Sequence, residues 1–72
     1  MTVKLFATFR EGRFKVEERE CPAGAACRRI VSDICLREDE LGIVLVNSRH
    51  AHLDQELKEG DTISLFPLVG GG

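Results

Sequence analysis

Apolar and polar residues alternate from Thr2 to Phe9, with Val3, Leu5, Ala7 and Phe9 on one side and Lys4, Phe6 and Thr8 on the other. A period of two is that of a half-buried strand. Arg10-Glu11-Gly12-Arg13 interrupts it with a glycine, and Phe14-Lys15-Val16-Glu17 resumes it, which predicts a β-hairpin with a four-residue loop. The second strand fades through Glu18-Arg19-Glu20 toward Cys21-Pro22. Beyond Pro22 and Gly24 the period changes to about 3.6. Cys27, Ile30, Val31, Ile34 and Cys35 form one helical face, and Arg28, Arg29, Ser32 and Asp33 take the other. Two of the three cysteines are thereby expected on the buried face, where a thiol acts as a small hydrophobe.

Leu36 to Gly42 is polar and acidic in its middle, and Ile43-Val44-Leu45-Val46-Asn47 follows as a run apolar on both faces, the pattern of a central strand. Asn47-Ser48 suits a turn, Arg49 to Leu53 a short strand, and Asp54 to Glu59 a polar connection around Leu57. Gly60-Asp61 supplies a further turn. Thr62-Ile63-Ser64-Leu65-Phe66 is the last strand, with Ile63 and Leu65 on one face, and Pro67, which has no N–H, marks where pairing stops. The order strand, strand, helix, strand, short strand, strand gives an α+β domain: a sheet of four to five strands with one main helix on one face. The domain spans 1–67, and 68–72 forms a flexible C-terminal tail.

One helix covers only one face of such a sheet. By strand parity Phe6 and Phe66 point to the other face, joined by either Val44 and Val46 or Ile43 and Leu45, between which the pattern does not choose. An uncovered apolar patch ringed by polar residues marks a docking surface.

Charge and composition narrow the function further. Ten Lys/Arg against twelve Asp/Glu give the 72 residues a formal charge of −2 with both signs interspersed, unlike the basic stripe of a nucleic-acid domain. No apolar run approaches the ~18 residues of a membrane span, and the strand pattern begins at once after Met1, leaving no room for a signal peptide, so a cytoplasmic protein is expected. Cys21, Cys27 and Cys35 match neither a CxxC pair nor a zinc knuckle. His50 and His52 alternate along a short strand without a third ligand nearby in sequence, so they read as exposed strand residues and no metal site is expected.

The chain ends Phe66-Pro67-Leu68-Val69-Gly70-Gly71-Gly72. Glycine admits backbone conformations closed to other residues and is a poor way to finish a core. It is a good way to make a thin thread ending in an unhindered carboxylate. The strand order, the Val46-Asn47 turn, the Leu57-Lys58-Glu59-Gly60-Asp61 step and the Leu65-Phe66-Pro67 to Gly71-Gly72 ending resemble the MoaD/ThiS family of sulfur-carrier proteins. The Leu-Phe-Pro portion and the Val46-Asn47 to Leu53-Asp54 region resemble the molybdopterin type more closely, and the Val-Gly-Gly-Gly ending resembles the thiamine type.

The resemblance implies a ubiquitin-like β-grasp fold and a carrier rather than an enzyme, possibly the small subunit of a molybdopterin synthase. It implies that Gly72 is adenylated by an E1-like enzyme of the MoeB/ThiF type, which uses ATP, while the carrier itself binds no cofactor. Sulfur from a persulfide donor then makes a thiocarboxylate, passed to the large subunit of molybdopterin synthase or another acceptor. Gly70 and Gly71 would give the carbonyl clearance, and Phe6, Phe66, Pro67, Leu68 and Val69 would contact the partner. Other readings of the same ending are a thiamine-type carrier and a protein modifier forming isopeptides through Gly72.

Overall fold

The computed structural model describes residues 1–20, 22 and 24–68. Five strands, β1 (Thr2–Leu5), β2 (Val16–Glu18), β3 (Leu41–Val46), β4 (Arg49–His50) and β5 (Thr62–Pro67), form one sheet in the order β2-β1-β5-β3-β4. β1 and β5 are parallel and the other pairs antiparallel, so the last strand of the sequence is the central strand of the sheet. Helix α1 (Cys27–Asp33) packs on one face. Between them Val3, Leu5, Cys27, Ile30, Val31, Ile63 and Leu65 are almost wholly excluded from water, with Met1, Phe9, Ile34, Leu36, Val46 and Leu57 completing the core.

The first strand is shorter than its alternation predicts. It stops at Leu5, Ala7 adopts a left-handed φ of 52°, and Ala7–Arg10 winds into a 3-10 turn. A strand rises about 3.3 Å per residue and a 3-10 turn about 2 Å, so winding keeps Phe9 over the core instead of carrying it past the edge. Phe9 is accordingly buried, while Ala7, expected beside it, is exposed. Pro67 takes part in this change of direction. The Leu68 N–H donates to the Glu40 carbonyl at 2.9 Å, which by strand alternation turns the Pro67 nitrogen toward β1. A regular parallel ladder would need an N–H there for the Phe6 carbonyl; that carbonyl accepts instead from the Phe9 N–H at 3.2 Å, inside the turn. Pairing with β3 therefore runs one residue beyond Pro67, where the sequence placed its end.

Helix α1 begins at Ala26 without a side-chain cap. Its first free N–H groups are satisfied by main chain: Cys27 N–H donates to the Gln55 carbonyl at 3.0 Å and Arg28 N–H to that of Leu53 at 2.8 Å. The same connection buries Leu57 against the core, its N–H bonded to the Ala25 carbonyl at 2.7 Å.

At the other end Leu36 N–H reaches the Val31 carbonyl and Cys35 N–H that of Ser32, both 3.0 Å, the paired bonds of a Schellman motif. Cys35 holds its left-handed position, with φ 61°. The helical periodicity thus ends one residue before Cys35, which is exposed; of the two helical cysteines expected in the core only Cys27 is there. Arg13 guanidinium N–H groups donate to the carbonyls of Ile34 and Cys35, at 3.3 and 3.4 Å, tying the β1–β2 loop to this helix end.

The β3–β4 connection is a two-residue turn, Asn47 and Ser48 at φ 52° and 68°, the left-handed pair of a type I′ hairpin. The strand expected over Arg49 to Leu53 is reduced to Arg49–His50. Asn47 also clasps the turn before β5: its side-chain amide donates to Asp61 Oδ1 at 2.9 Å, and its Oδ1 accepts the Thr62 N–H at 3.0 Å. Among the described residues no helix is long and apolar enough to cross a membrane.

Candidate functional site

The face of the sheet opposite α1 carries the apolar residues that the core does not use. Leu5 pairs with Leu65 beneath it, so the next residues, Phe6 and Phe66, lie side by side on this face. Their rings stack with centroids 4.2 Å apart and planes within 9°. The guanidinium of Arg10 sits 5.4 Å from the Phe6 ring centre, held by an Nε–H bond to the Leu5 carbonyl at 2.8 Å. A positive charge over an aromatic face is favourable and leaves the Phe6/Phe66 pair with one charged rim.

Register settles the third strand. Ile43 lies opposite Phe66 and Leu45 opposite Ser64, so Ile43 and Leu45 share the uncovered face, while Val46 is buried and Val44 packs against the core. Ile43 is 42% exposed and Leu68 65%. Together with Ala7, Gly42, Phe66 and Pro67 they line a shallow apolar groove of about 300 Å³ at the end of β5. Pro67, expected as a contact residue, is itself buried and paired with Leu41. Its part is to end the central strand beside the groove. Val69, Gly70, Gly71 and Gly72, which carry the remaining expectations, lie outside the described residues, as does Cys21.

Gly42 is the residue that periodicity overlooked. Leu41 pairs with Pro67 and Ile43 with Phe66, so Gly42 is the extra residue of a β-bulge. A Cβ at this position would stand 2.6 Å from the Pro67 carbonyl oxygen, 3.0 Å from its carbon and 3.1 Å from the Leu68 Cα. Only a bare Cα lets the two backbones pass this closely. A lone glycine inside an apolar strand run is the usual sequence sign of such an approach.

Of two larger hollows beside the β3–β4 hairpin, the one of about 540 Å³ is lined mostly by polar and charged residues and the one of about 460 Å³ by Arg28, His50, His52 and Asp54 among apolar residues, and among the described residues neither lining includes a serine, threonine or cysteine. His50 and His52 are exposed there, and among the described residues no three His, Cys, Asp or Glu side chains gather in a metal-binding group. What this face presents is an apolar groove at the end of the central strand.

The ThiS family model matches residues 3–72. The chain belongs to the ThiS family. Related solved structures agree with the architecture. A protein of Pyrococcus furiosus assigned as molybdopterin converting factor, subunit 1, is 34% identical, with a TM-score of 0.76 over 94% of this chain and 95% of its own. Small archaeal modifier protein 1 of H. volcanii shares the fold at 23% identity, with a TM-score of 0.73 over 94% and 95% of the two chains. So does a chain in the complex of subunits 1 and 2 of the molybdopterin-converting factor of Helicobacter pylori, at 24% identity, with a TM-score of 0.65 over 99% and 96%. No curated protein matches the sequence significantly. As a ThiS-family member, the chain has the ubiquitin-like β-grasp fold and is one of a family of small sulfur-carrier proteins. In that fold the groove of Ile43, Phe66 and Leu68 lies at the end of β5, and in sequence Leu68 stands four residues before Gly72.

Proposed function

We propose that this ThiS-family chain is a sulfur carrier, without catalysis of its own, whose Gly72 carboxylate is adenylated and then converted to a thiocarboxylate for cofactor biosynthesis, molybdopterin in the first instance. The observation that carries the reading is the apolar groove of Ile43, Phe66 and Leu68 at the end of the central strand, four residues before the terminal carboxylate. A partner seated on the Phe6/Phe66 face holds the domain, and the four residues from Val69 to Gly72 can reach at most about 14 Å into its active site at ~3.3–3.6 Å each.

The chemistry follows from what a carboxylate lacks. Its leaving group would be oxide, so it must be activated: a Gly72 carboxylate oxygen attacks the α-phosphorus of ATP and pyrophosphate leaves. The terminal sulfur of a persulfide then attacks the acyl carbon and AMP leaves, giving an acyl disulfide. A second thiol cleaves its S–S bond, releasing the thiocarboxylate and leaving the donor sulfur in a disulfide. ATP, persulfide and thiol are all brought by the E1-like partner and the sulfur donor. This chain supplies the docking face, the thread and an acyl carbon with no side chain beside it; holding that carboxylate in line with the phosphate makes the encounter effectively intramolecular.

Molybdopterin as destination is supported by the P. furiosus relative, and the H. pylori pair illustrates a partner subunit for such a chain. The test of the first step is ATP–pyrophosphate exchange by a ThiF-type adenylating enzyme from the same organism. Exchange should depend on this chain and vanish when Gly71 and Gly72 are removed; exchange that ignores the chain contradicts the reading. Capture of the adenylate by a lysine amine, giving an isopeptide, would instead place the chain with the modifiers.

A further inference from the structure

We propose that Gly42 is a positioning residue for the C-terminal segment: its bare Cα, with the Glu40 carbonyl, sets the line along which the chain leaves β5. The function of that line rests on the carrier reading. β5 is paired with β1 on one side as far as Leu65 and with β3 on the other as far as Pro67, across the bulge at Gly42. Beyond Pro67 two features fix the direction at Leu68. One is the hydrogen bond from the Leu68 N–H to the Glu40 carbonyl, 2.9 Å. The other is the passage of the Pro67–Leu68 backbone over Gly42, where a Cβ would lie 2.6 Å from the Pro67 oxygen.

No flexible side chain stands at that contact, only main chain, so a methyl group at position 42 must move one backbone or the other. From Ile43 to Val46 β3 is anchored by β5 and at Leu45 and Val46 also by β4, whereas Leu68 is held by the single bond to Glu40. The weaker side yields. Leu68 then leaves the groove it shares with Ile43 and Phe66, and the acyl end is presented along a different line although the Phe6/Phe66 face is intact. Misplacing a reacting group by about 1 Å costs up to ~100-fold in rate. Gly42→Ala should therefore lower kcat for chain-dependent ATP–pyrophosphate exchange about ten- to a hundredfold, with KM for the chain changed much less, since KM reports docking.

The experiment measures two things on the full chain. Amide hydrogen exchange followed by NMR reads the Leu68 N–H, expected to be protected in the parent and to lose protection in Gly42→Ala; pyrophosphate exchange with the ThiF-type enzyme reads kcat and KM. Gly24→Ala is the control for loss of a glycine: Gly24 has φ 78° and nothing within 4 Å, so this variant should melt earlier yet keep Leu68 protection and kcat. Should Gly42→Ala fail to fold, Leu68→Pro removes the same hydrogen bond from the other side, with Leu68→Ala as the reference for the lost side chain. Unchanged Leu68 protection, or a loss of melting temperature with kcat intact, overturns the proposal. If the parent chain supports no exchange at all, the carrier reading fails, and Leu68 protection still decides whether Gly42 directs the segment.

Discussion

Replacing Phe66 by aspartate separates the docking face from the fold. Phe66 belongs to the central strand, but its side chain faces away from the helix and is only partly buried. The new carboxylate can therefore stay hydrated in the free domain. What the free domain loses is the stack on Phe6 at 4.2 Å, about 0.5–1.5 kcal/mol. To this is added about two thirds or more of the ~1.5–3 kcal/mol for fully burying such a side chain. A total of about 1.5–4 kcal/mol lowers the melting temperature of a domain this size by roughly 6–30 °C and leaves it folded at 25 °C if its stability is ordinary.

Docking suffers differently. In the complex the carboxylate has to be desolvated against an apolar surface, and an aromatic anchor at the centre of an interface is typically worth 2–4 kcal/mol. That corresponds to a weakening of about 30- to 1,000-fold. The assay is chain-dependent ATP–pyrophosphate exchange over a concentration series, with circular dichroism to confirm the fold. KM for the chain should rise by about this factor, with kcat recovered at saturation. A KM within about twofold of the parent, in a folded variant, would refute the assignment of the face, since twofold is only ~0.4 kcal/mol.

Other consequences are more local. Cys35→Gly should raise the melting temperature by about 3–8 °C, because the left-handed conformation at φ 61° costs an L-residue about 1–2 kcal/mol and part of the gain is offset by glycine's freedom when unfolded; a lower melting temperature would show that the thiol contributes packing there. Asp61 accepts the Lys58 N–H at 2.8 Å and the Asn47 amide, which hold its pKa below the usual 3.8. Its contribution is therefore present above pH 3.8 and lost as the pH falls through the depressed value. Asp61→Asn should lower stability near neutrality and flatten the acid limb below that pH in urea titrations, and an unchanged acid limb would count against the clasp. Removing Gly71 and Gly72 should leave the melting temperature within about 2 °C, since the core lies elsewhere, while abolishing adenylation; a large loss of stability would place those glycines in the fold.

Much of this was legible in the chain because strand parity and helix periodicity are hard constraints. Phe6 and Phe66 had to oppose Leu5 and Leu65, and Cys27, Ile30, Val31 and Ile34 had to share a face. What escaped were the places where one residue changes the local geometry. Cys35 continues the helical spacing, but the helix stops short of it, in a left-handed position that glycine usually marks. Phe9 continues the strand alternation, yet reaches the core through a turn begun at Ala7. The choice between Val44/Val46 and Ile43/Leu45 depended on cross-strand register, which an apolar run on both faces does not encode. Gly42 did carry a signal, a glycine inside a strand run, whose meaning appears only once Pro67 is known to lie across from it.

One atom exchange at Gly72 separates a sulfur carrier from the alternatives. The most direct measurement is the intact and C-terminal-peptide mass of the chain after incubation with the ThiF-type enzyme, ATP, a persulfide donor and thiol. Replacement of one oxygen by sulfur, confined to the peptide ending in Gly72 and absent without ATP, is the expected result. An unchanged mass in a reaction where the enzyme turns over ATP with this chain, or a lysine-linked conjugate in place of the thiocarboxylate, would contradict it.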